Sequence, residues 1–206
     1  MYTPSEFAVA EQSALLALMQ RYGFATLITA ANAGPVVTHL PLLVRSDRPG
    51  QIRLIGHVAR ANPHWKLFDG NRSSLAIFHG PHGYVSPSLY ETPNVPTWNY
   101  AVVHAHGAPR IVEQAADVLR ELVSLYEGGR ERPWTVERLP EGRFDQLQKA
   151  IVAFEMPISR LEGKFKLSQN RSAADARNVA DAFARSADSG ERELAELMRA
   201  LPIRTK

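Results

Sequence analysis

The hydrophobic positions change period after the first part of the chain. Near the N-terminus, apolar residues recur with the i, i+3, i+4, i+7 spacing of an amphipathic helix: Leu15, Leu18, Met19 and Tyr22. The segment Thr3–Glu6 offers an N-cap threonine, a first-turn proline and a capping-box glutamate. We therefore predict one N-terminal helix that starts at this cap and ends at Tyr22-Gly23.

Short β-rich runs follow, separated by clusters of Gly, Pro, Asn and Asp. They predict six strands, over residues 24–30, 36–45, 51–59, 73–79, 98–112 and 151–167. Most connections are too short to contain the helix that a parallel crossover needs, so we expect a mostly antiparallel sheet. Closing such a sheet into a small barrel removes its exposed edges.

The remaining segments predict helices and one long loop. Asn62-Pro63 is expected to open a short helix that Gly70 stops, and a loop rich in Gly, Pro and Tyr runs from Gly80 to Thr97. Further helical patterns cover residues 114–126, 144–149 and 172–201, the last with a break at 186–190. We predict a barrel domain over 1–170 and a helical C-terminal extension of the same domain over 171–206.

Composition narrows the class of protein. The 206 residues carry 24 Lys+Arg against 21 Asp+Glu, a net charge of +3 that gives little attraction to nucleic acid unless the cations cluster. The chain has no cysteine, which excludes disulfides and thiolate metal sites. No stretch reads as a signal peptide or a membrane span, so we expect a cytoplasmic protein.

The end of the third predicted strand combines features that suit a phosphate. Asn62 is a good N-cap, Pro63 takes the first helical position, and cationic residues flank the helix start. The alternative is an ordinary capped helix whose cations are solvated. The candidate residues are His57, Val58, Ala59, Arg60, Ala61, Asn62 and Lys66.

Two other segments suit a flat ring system. Thr38, His39, Leu40 and Pro41 form a strand with a proline, which marks an edge or a bulge and could leave a neighbouring amide free for a ligand. Trp98-Asn99-Tyr100 offers stacking surface and a polar group. The alternatives are a simple edge strand for the first segment and an aromatic subunit contact for the second.

Metal and nucleophile motifs are not evident. His104 and His106 lie two positions apart on one predicted strand, so their side chains should point the same way. However, the chain has no HExxH motif and no cysteine that could serve as a further ligand. It also has no G-x-S-x-G elbow and no P-loop. We expect no metal site and assign no catalytic residue.

Several longer strings are distinctive, among them Thr38–Pro41, Asn62-Pro63 with Lys66, Tyr84–Tyr90, Val95–Tyr100, and Leu161–Lys164 with Leu167–Asn170. Together they resemble the PaiB family of FMN-binding negative transcriptional regulators. The resemblance implies an FMN-binding split β-barrel that is a homodimer with flavin at the subunit interface. It implies a phosphate near Ala59–Lys66 and a ring along Thr38–Pro41. Trp98–Tyr100 and the segment from Lys164 to Asn170, which contains Gln169, would complete the site from the partner.

Two other functions stay open on the sequence. Many split barrels are flavin-dependent oxidoreductases, and His39, His57 or Tyr100 could then serve as acid or base. A haem-binding relative could use a loop histidine as an iron ligand. Direct DNA binding is weakly supported, because the last predicted helix is acidic at Glu191, Glu193 and Glu196.

Overall fold

The computed structural model describes residues 1–48 and 50–200, so the predicted turn residue Pro49 and the predicted last helical residue Leu201 lie outside the described residues. The strands are β1 (Ala8–Val9), β2 (Phe24–Ala31), β3 (Gly34–Pro41), β4 (Leu43–Arg48), β5 (Gln51–Ala59), β6 (Ser74–Val85), β7 (Thr97–Gly107), β8 (Arg110–Ile111) and β9 (Ile151–Lys166). The α-helices are α1 (Gln12–Arg21), α2 (Ala115–Glu127), α3 (Arg143–Lys149), α4 (Ala173–Ala184) and α5 (Ser189–Ala200). Short 3₁₀ turns cover Ser5–Phe7, Pro63–Leu67, Pro87–Leu89 and Val136–Arg138.

The strands pair in the order β3-β2-β6-β7-β9-β5-β4, and β1 and β8 each pair with β9. The pairs β2–β3, β2–β6, β4–β5 and β5–β9 are antiparallel. The prediction of a mainly antiparallel β protein with flanking helices is confirmed. The helical tail and its break are also confirmed, since α4 and α5 are separate helices.

The described residues form nine strands, where the sequence predicted six. The run 36–45 is two strands, because the chain leaves β3 after Pro41 and buries Leu42 before β4 begins. The run 98–112 is likewise divided into β7 and β8. The remaining strand, β1, has two residues, which is too short for any alternation of polar and apolar positions to reveal.

Two local predictions were wrong. The cap at Thr3–Glu6 starts only a 3₁₀ turn, and the α-helix begins later at Gln12. The first part of the predicted loop continues β6 to Val85. Gly80 lies in this part of β6 at a position with no room for a side chain. A Cβ there would lie 3.0 Å from the backbone oxygen of Ala101 and 2.9 Å from the side chain of Leu18.

The chain divides into two compact units. Unit 1 comprises Met1–Tyr22, Phe78–His104 and the C-terminal segment from Glu162, and unit 2 comprises Gly23–Ile77 and Ala105–Leu161. In unit 1 the paired helices α4 and α5 bury Val179, Phe183, Leu194 and Met198. In unit 2, α2 packs Val118 and Leu122 against Leu43 and Ala153. The predicted domain boundary at residue 170 stays a prediction.

None of the described helices combines the length and the apolar composition needed to cross a membrane.

Candidate functional site

In unit 2, the candidate site is built on the turn that follows β5. Asn62 caps this turn, and its side-chain Oδ1 accepts a hydrogen bond of 3.0 Å from the backbone N–H of His64. Just before it, the N–H of Arg60 donates to the carbonyl oxygen of Ala150 at 2.8 Å. The predicted cap is confirmed, but the segment is a five-residue 3₁₀ turn and not an α-helix.

A buried histidine connects this turn to β3. The imidazole of His64 is fully buried, with Nδ1 2.8 Å from Oγ1 of Thr38 and Nε2 2.8 Å from Oγ1 of Thr29. Nδ2 of Asn62 also donates to Oγ1 of Thr38 at 3.1 Å. Two segments that the sequence proposed separately, Thr38 on β3 and Asn62 in the turn, therefore meet at one hydroxyl group.

His64 is the residue that sequence reasoning missed. Burial lowers the pKa of His64, so the imidazole is neutral, with one nitrogen a donor and the other an acceptor. A threonine hydroxyl can fill either role, which is why a histidine between two threonines can be fully buried. The available signal was a histidine two residues after a capping asparagine.

The cations of the turn have different roles. The guanidinium of Arg60 donates through Nε to the carbonyl oxygen of Lys149 at 2.8 Å and through Nη2 to that of Ile151 at 2.9 Å. Lys66 is exposed, and its ammonium has no hydrogen-bond or ion-pair partner among the described residues. Lys66 is thus the cation of this turn that is open to an anionic ligand.

The start of the turn contributes little to anion binding. Pro63 has no N–H, the N–H of His64 is already bonded to Asn62, and a short 3₁₀ turn has only a small dipole. An anion here would be stabilised mainly by the charge of Lys66.

The predicted ring-binding strand β3 lies at one end of the strand order. Among the described strands, β3 pairs only with β2, which agrees with the edge strand that Pro41 indicated. His39 is exposed and lies 3.0 Å (Nδ1) from Oγ1 of Thr26. Leu40, in contrast, is buried in the core and presents only its backbone.

The other predicted residues of β5 and the turn also differ in exposure. Val58 is buried, while Ala59 and Ala61 are exposed. Nδ1 of His57 is buried without a hydrogen-bond partner in the described chain, and burial lowers the pKa of this histidine. No described contact joins His57 to Thr38 or Asn62.

Unit 1 contains the second group of candidate residues. Trp98 on β7 is 53% exposed, and its ring lies 5.8 Å from that of Tyr84 in an edge-on arrangement and 6.3 Å from that of His82. Nζ of Lys164 on β9 lies 5.4 Å from the ring centres of both Tyr100 and Tyr2. Trp98 thus belongs to an exposed aromatic cluster, while Lys164 is a buried cation that lies beside the rings of Tyr100 and Tyr2.

Lys166 adds a second cation, which lies within the predicted segment from Lys164 to Asn170 but was not named as a candidate by itself. Its ammonium donates to the backbone oxygen of Trp98 at 2.7 Å and to the hydroxyl of Thr97. Burial lowers the pKa of Lys166, and so do the positive charges of Arg171 and Lys164. A bound anion would relieve this repulsion, so the surface favours a negatively charged or electron-rich ligand.

Two predicted residues of this unit hold the structure together. Asn99 is fully buried, and its Nδ2 donates to Oγ of Ser168 at 3.0 Å. The side chain of Gln169 accepts from the N–H of Leu167 and donates to the oxygen of Phe165, both at 2.6 Å. These bonds brace the loop after β9.

Comparison with known proteins identifies the family of the chain. The family described as "Putative FMN-binding domain" matches residues 1–160. The Protease synthase and sporulation protein PAI 2 of Bacillus subtilis is 33% identical over 200 residues, which are 96% of this chain and 96% of that protein. A protein of Emericella nidulans described as uncharacterized is 28% identical over 242 residues, covering 97% of this chain and 96% of its own.

Solved structures share the fold. The flavocytochrome Anf3 from Azotobacter vinelandii superposes with a TM-score of 0.60 at 19% identity, over 77% of this chain and 69% of that one. The FAD and heme binding protein from Mycobacterium smegmatis gives 0.56 at 16%, over 77% and 73%. The fold is that of the flavin-binding split barrels. Within that class the chain belongs to the PaiB family, and FMN is its cofactor.

The residues present fit an FMN molecule. The phosphate needs a cation without a carboxylate partner, and Lys66 meets that need. In unit 2, the unpaired edge of β3 offers backbone groups that suit the polar edge of a flavin ring. In unit 1, the exposed ring of Trp98 offers a flat face that suits stacking.

The buried histidine predicts a pH dependence of stability. Because the pKa of His64 is lower in the folded state than its unfolded value of about 6.5, the unfolded chain binds more protons in the interval between these values. Unfolding free energy should be constant above about pH 7 and should fall as the pH drops below about 6.5. Denaturant unfolding at a series of pH values measures this fall.

His64→Gln should lower the unfolding free energy by about 1–3 kcal/mol near pH 7, because Thr29 and Thr38 lose partners. Between about pH 5 and 7 it should also flatten the pH dependence, and the change that remains in this range should come mainly from His57. The exposed His79→Gln is the matched control and should change neither quantity. An unchanged pH profile in His64→Gln would show that His64 does not cause the acid sensitivity.

Proposed function

We propose that the protein is an FMN-binding homodimer in which each flavin lies between the two groups described above, one from each protomer. Two groups of described residues support the proposal, because each offers contacts that a flavin could use. Unit 2 offers Lys66 and the edge of β3, and unit 1 offers Trp98, Tyr100 and Lys164. We propose that FMN uses Lys66 for its phosphate and the aromatic surface of the partner for its ring.

An exposed apolar sheet face supports the dimer. Phe24 on β2 is 68% exposed and Val37 on β3 is 48% exposed. The register places Ile28 beside Val37 and Leu75, which extends the apolar strip across three neighbouring strands. Exposed apolar side chains of this kind mark interaction sites, and a second copy of the chain is the occupant we propose.

We further propose that the protein acts as a negative transcriptional regulator of the PaiB type. The support is its 33% identity to the Bacillus subtilis protein over nearly the whole of both chains, together with the resemblance on which the family was recognised. The expected cytoplasmic location stays a prediction, as does the alternative of a flavin-dependent oxidoreductase. Oxidation of NAD(P)H by the purified protein would test that alternative.

The phosphate contact predicts a preference for FMN over riboflavin. Lys66→Ala should weaken FMN binding roughly 10- to 100-fold, or about 1.5–3 kcal/mol, because a charge-assisted hydrogen bond is lost. It should leave the weaker riboflavin binding unchanged. Titration of both ligands, followed by flavin fluorescence, measures the two affinities.

Lys149→Ala is the control for this experiment, since Lys149 is another exposed lysine of unit 2. It lines a different cleft, of about 530 Å³, together with Arg60 and Trp65. A loss of FMN affinity in Lys149→Ala and not in Lys66→Ala would move the phosphate to that cleft. Equal affinities of the unaltered protein for FMN and riboflavin would contradict a phosphate contact altogether.

The shared site predicts that one aromatic substitution weakens two properties. Trp98→Ala should reduce dimerisation and FMN binding together, each by about 2 kcal/mol or more, since large aromatic residues often dominate interfaces. Sedimentation velocity with FMN titrated into the same samples measures both. Trp134→Ala removes another partly exposed tryptophan, from unit 2, and should change neither. A Trp98→Ala protein that stays dimeric with full FMN affinity would exclude the shared site.

The charge distribution predicts that any DNA binding by the protein alone is weak. The net charge is small, and α5 carries Glu191, Glu193 and Glu196, of which Glu193 bonds Arg21 and Tyr22. Fluorescence anisotropy with random-sequence duplexes should show binding that disappears at about 0.15–0.2 M salt. Selective binding that persists at this salt would favour direct repression over regulation through a partner.

A further inference from the structure

Unit 1 contains a cleft that the flavin proposal does not use. It has a volume of about 300 Å³ and lies between the loop after β9 and the helices α4 and α5. Its floor is apolar and well buried, formed by Leu167, Ala180 and Met198, with Ala176 at its side. An apolar ligand group that displaces water from this floor would bind favourably, because apolar surface is removed from water.

The rim of the cleft carries an excess of positive charge. Three arginines line it, Arg171, Arg177 and Arg199, against the single carboxylate of Asp181. Asp181 binds Nη2 of Arg199 at 2.8 Å, and the guanidinium of Arg171 lies 5.3 Å from the ring centre of Tyr90. Arg177 is exposed, and its guanidinium has no hydrogen-bond or ion-pair partner among the described residues.

The loop at the bottom of the cleft is held in a defined shape. Ser168 has a φ of 67°, a left-handed conformation that is unusual for a residue with a side chain. Its Oγ is fixed by the buried amide of Asn99, and the side chain of Gln169 bonds the backbone of Leu167 and Phe165, just before it. The cleft is therefore preformed, which lowers the entropic cost of binding a ligand.

We infer that this cleft is a binding site for a small amphipathic monocarboxylate of the fatty-acid type. The apolar floor would take the hydrocarbon chain, and the arginine rim would take the carboxylate. An arginine fork matches a carboxylate in shape and charge, and Arg177 has its donors available. A cleft of this volume lies at the lower end of ligand-binding pockets, so the chain is of medium length.

Octanoate, kept below the concentration at which it forms micelles, is the probe for this site, and the full-length protein loaded with FMN is the sample. Isothermal titration should show that octanoate binds more tightly than butyrate, by about threefold to fourfold for each added methylene. The gain should stop before laurate, because the cleft is then full. Inorganic phosphate should compete poorly, since it leaves the floor empty.

Two substitutions on the rim should act in opposite directions. Arg177→Gln should weaken octanoate binding about tenfold, because a charged donor is lost. Asp181→Asn should tighten it several-fold, because Arg199 is released from its ion pair. Arg185→Gln removes an exposed arginine at the end of the same helix but outside the cleft, and it is the matched control.

Ala176→Leu tests the floor. It fills the cleft from a half-buried helix position that tolerates leucine, so it should abolish octanoate binding without lowering the melting temperature. Failure of octanoate to bind, or equal binding of butyrate, octanoate and phosphate, would overturn the inference. Unchanged affinity in both Arg177→Gln and Asp181→Asn would do the same. None of these outcomes depends on where FMN binds.

Discussion

The geometry of the candidate site in unit 2 depends on one buried imidazole. His64 bonds Thr29 on β2 and Thr38 on β3, and it does so from the turn that ends β5. Each nitrogen of a buried histidine needs a partner, since an unsatisfied buried polar group costs about 1–3 kcal/mol. The imidazole therefore fixes the turn against the edge strand. This constraint sets the position from which Lys66 extends into solvent.

The positive charge of the candidate groups depends on which acceptors their cations bond. Arg60, Lys164 and Lys166 donate to backbone carbonyl or hydroxyl oxygens, which satisfy the donors but leave the positive charge in place. Some other cations of the chain are neutralised by carboxylates. Glu155, for example, binds both Arg53 and Arg110, and these two arginines hold its pKa below the usual range. Positive charge thus remains where an FMN molecule would gain from it.

In the strand segment around Trp98, neighbouring side chains have different roles. Successive side chains of a strand point to opposite faces, so Trp98 is exposed while Asn99 is buried against Ser168. The buried amide braces the loop after β9, and the exposed ring remains available to a ligand or a partner. The same loop forms the bottom of the arginine-rimmed cleft, so both surfaces of unit 1 depend on Asn99.

The sequence by itself determined the class of fold, several local features and the cofactor. Period-two patterns and short turns specified antiparallel strands, because side-chain burial alternates along a strand. Asn62 capped its turn, Pro41 marked an edge strand, and Trp98 and Asn99 took opposite faces, since these features depend on local geometry. The family strings identified the cofactor.

Tertiary structure decided which residues meet. Thr38 and His64 are 26 positions apart, and Lys166 and Thr97 are 69 apart, so no local pattern could pair them. Tertiary contacts also decide which cation is free to bind an anion. Arg60 and Lys66 are both cations near the capped turn, but only Arg60 donates to backbone oxygens that are distant in sequence. The periodicity of the sequence cannot predict hydrogen bonds between remote segments, because these bonds depend on how the strands are arranged in three dimensions.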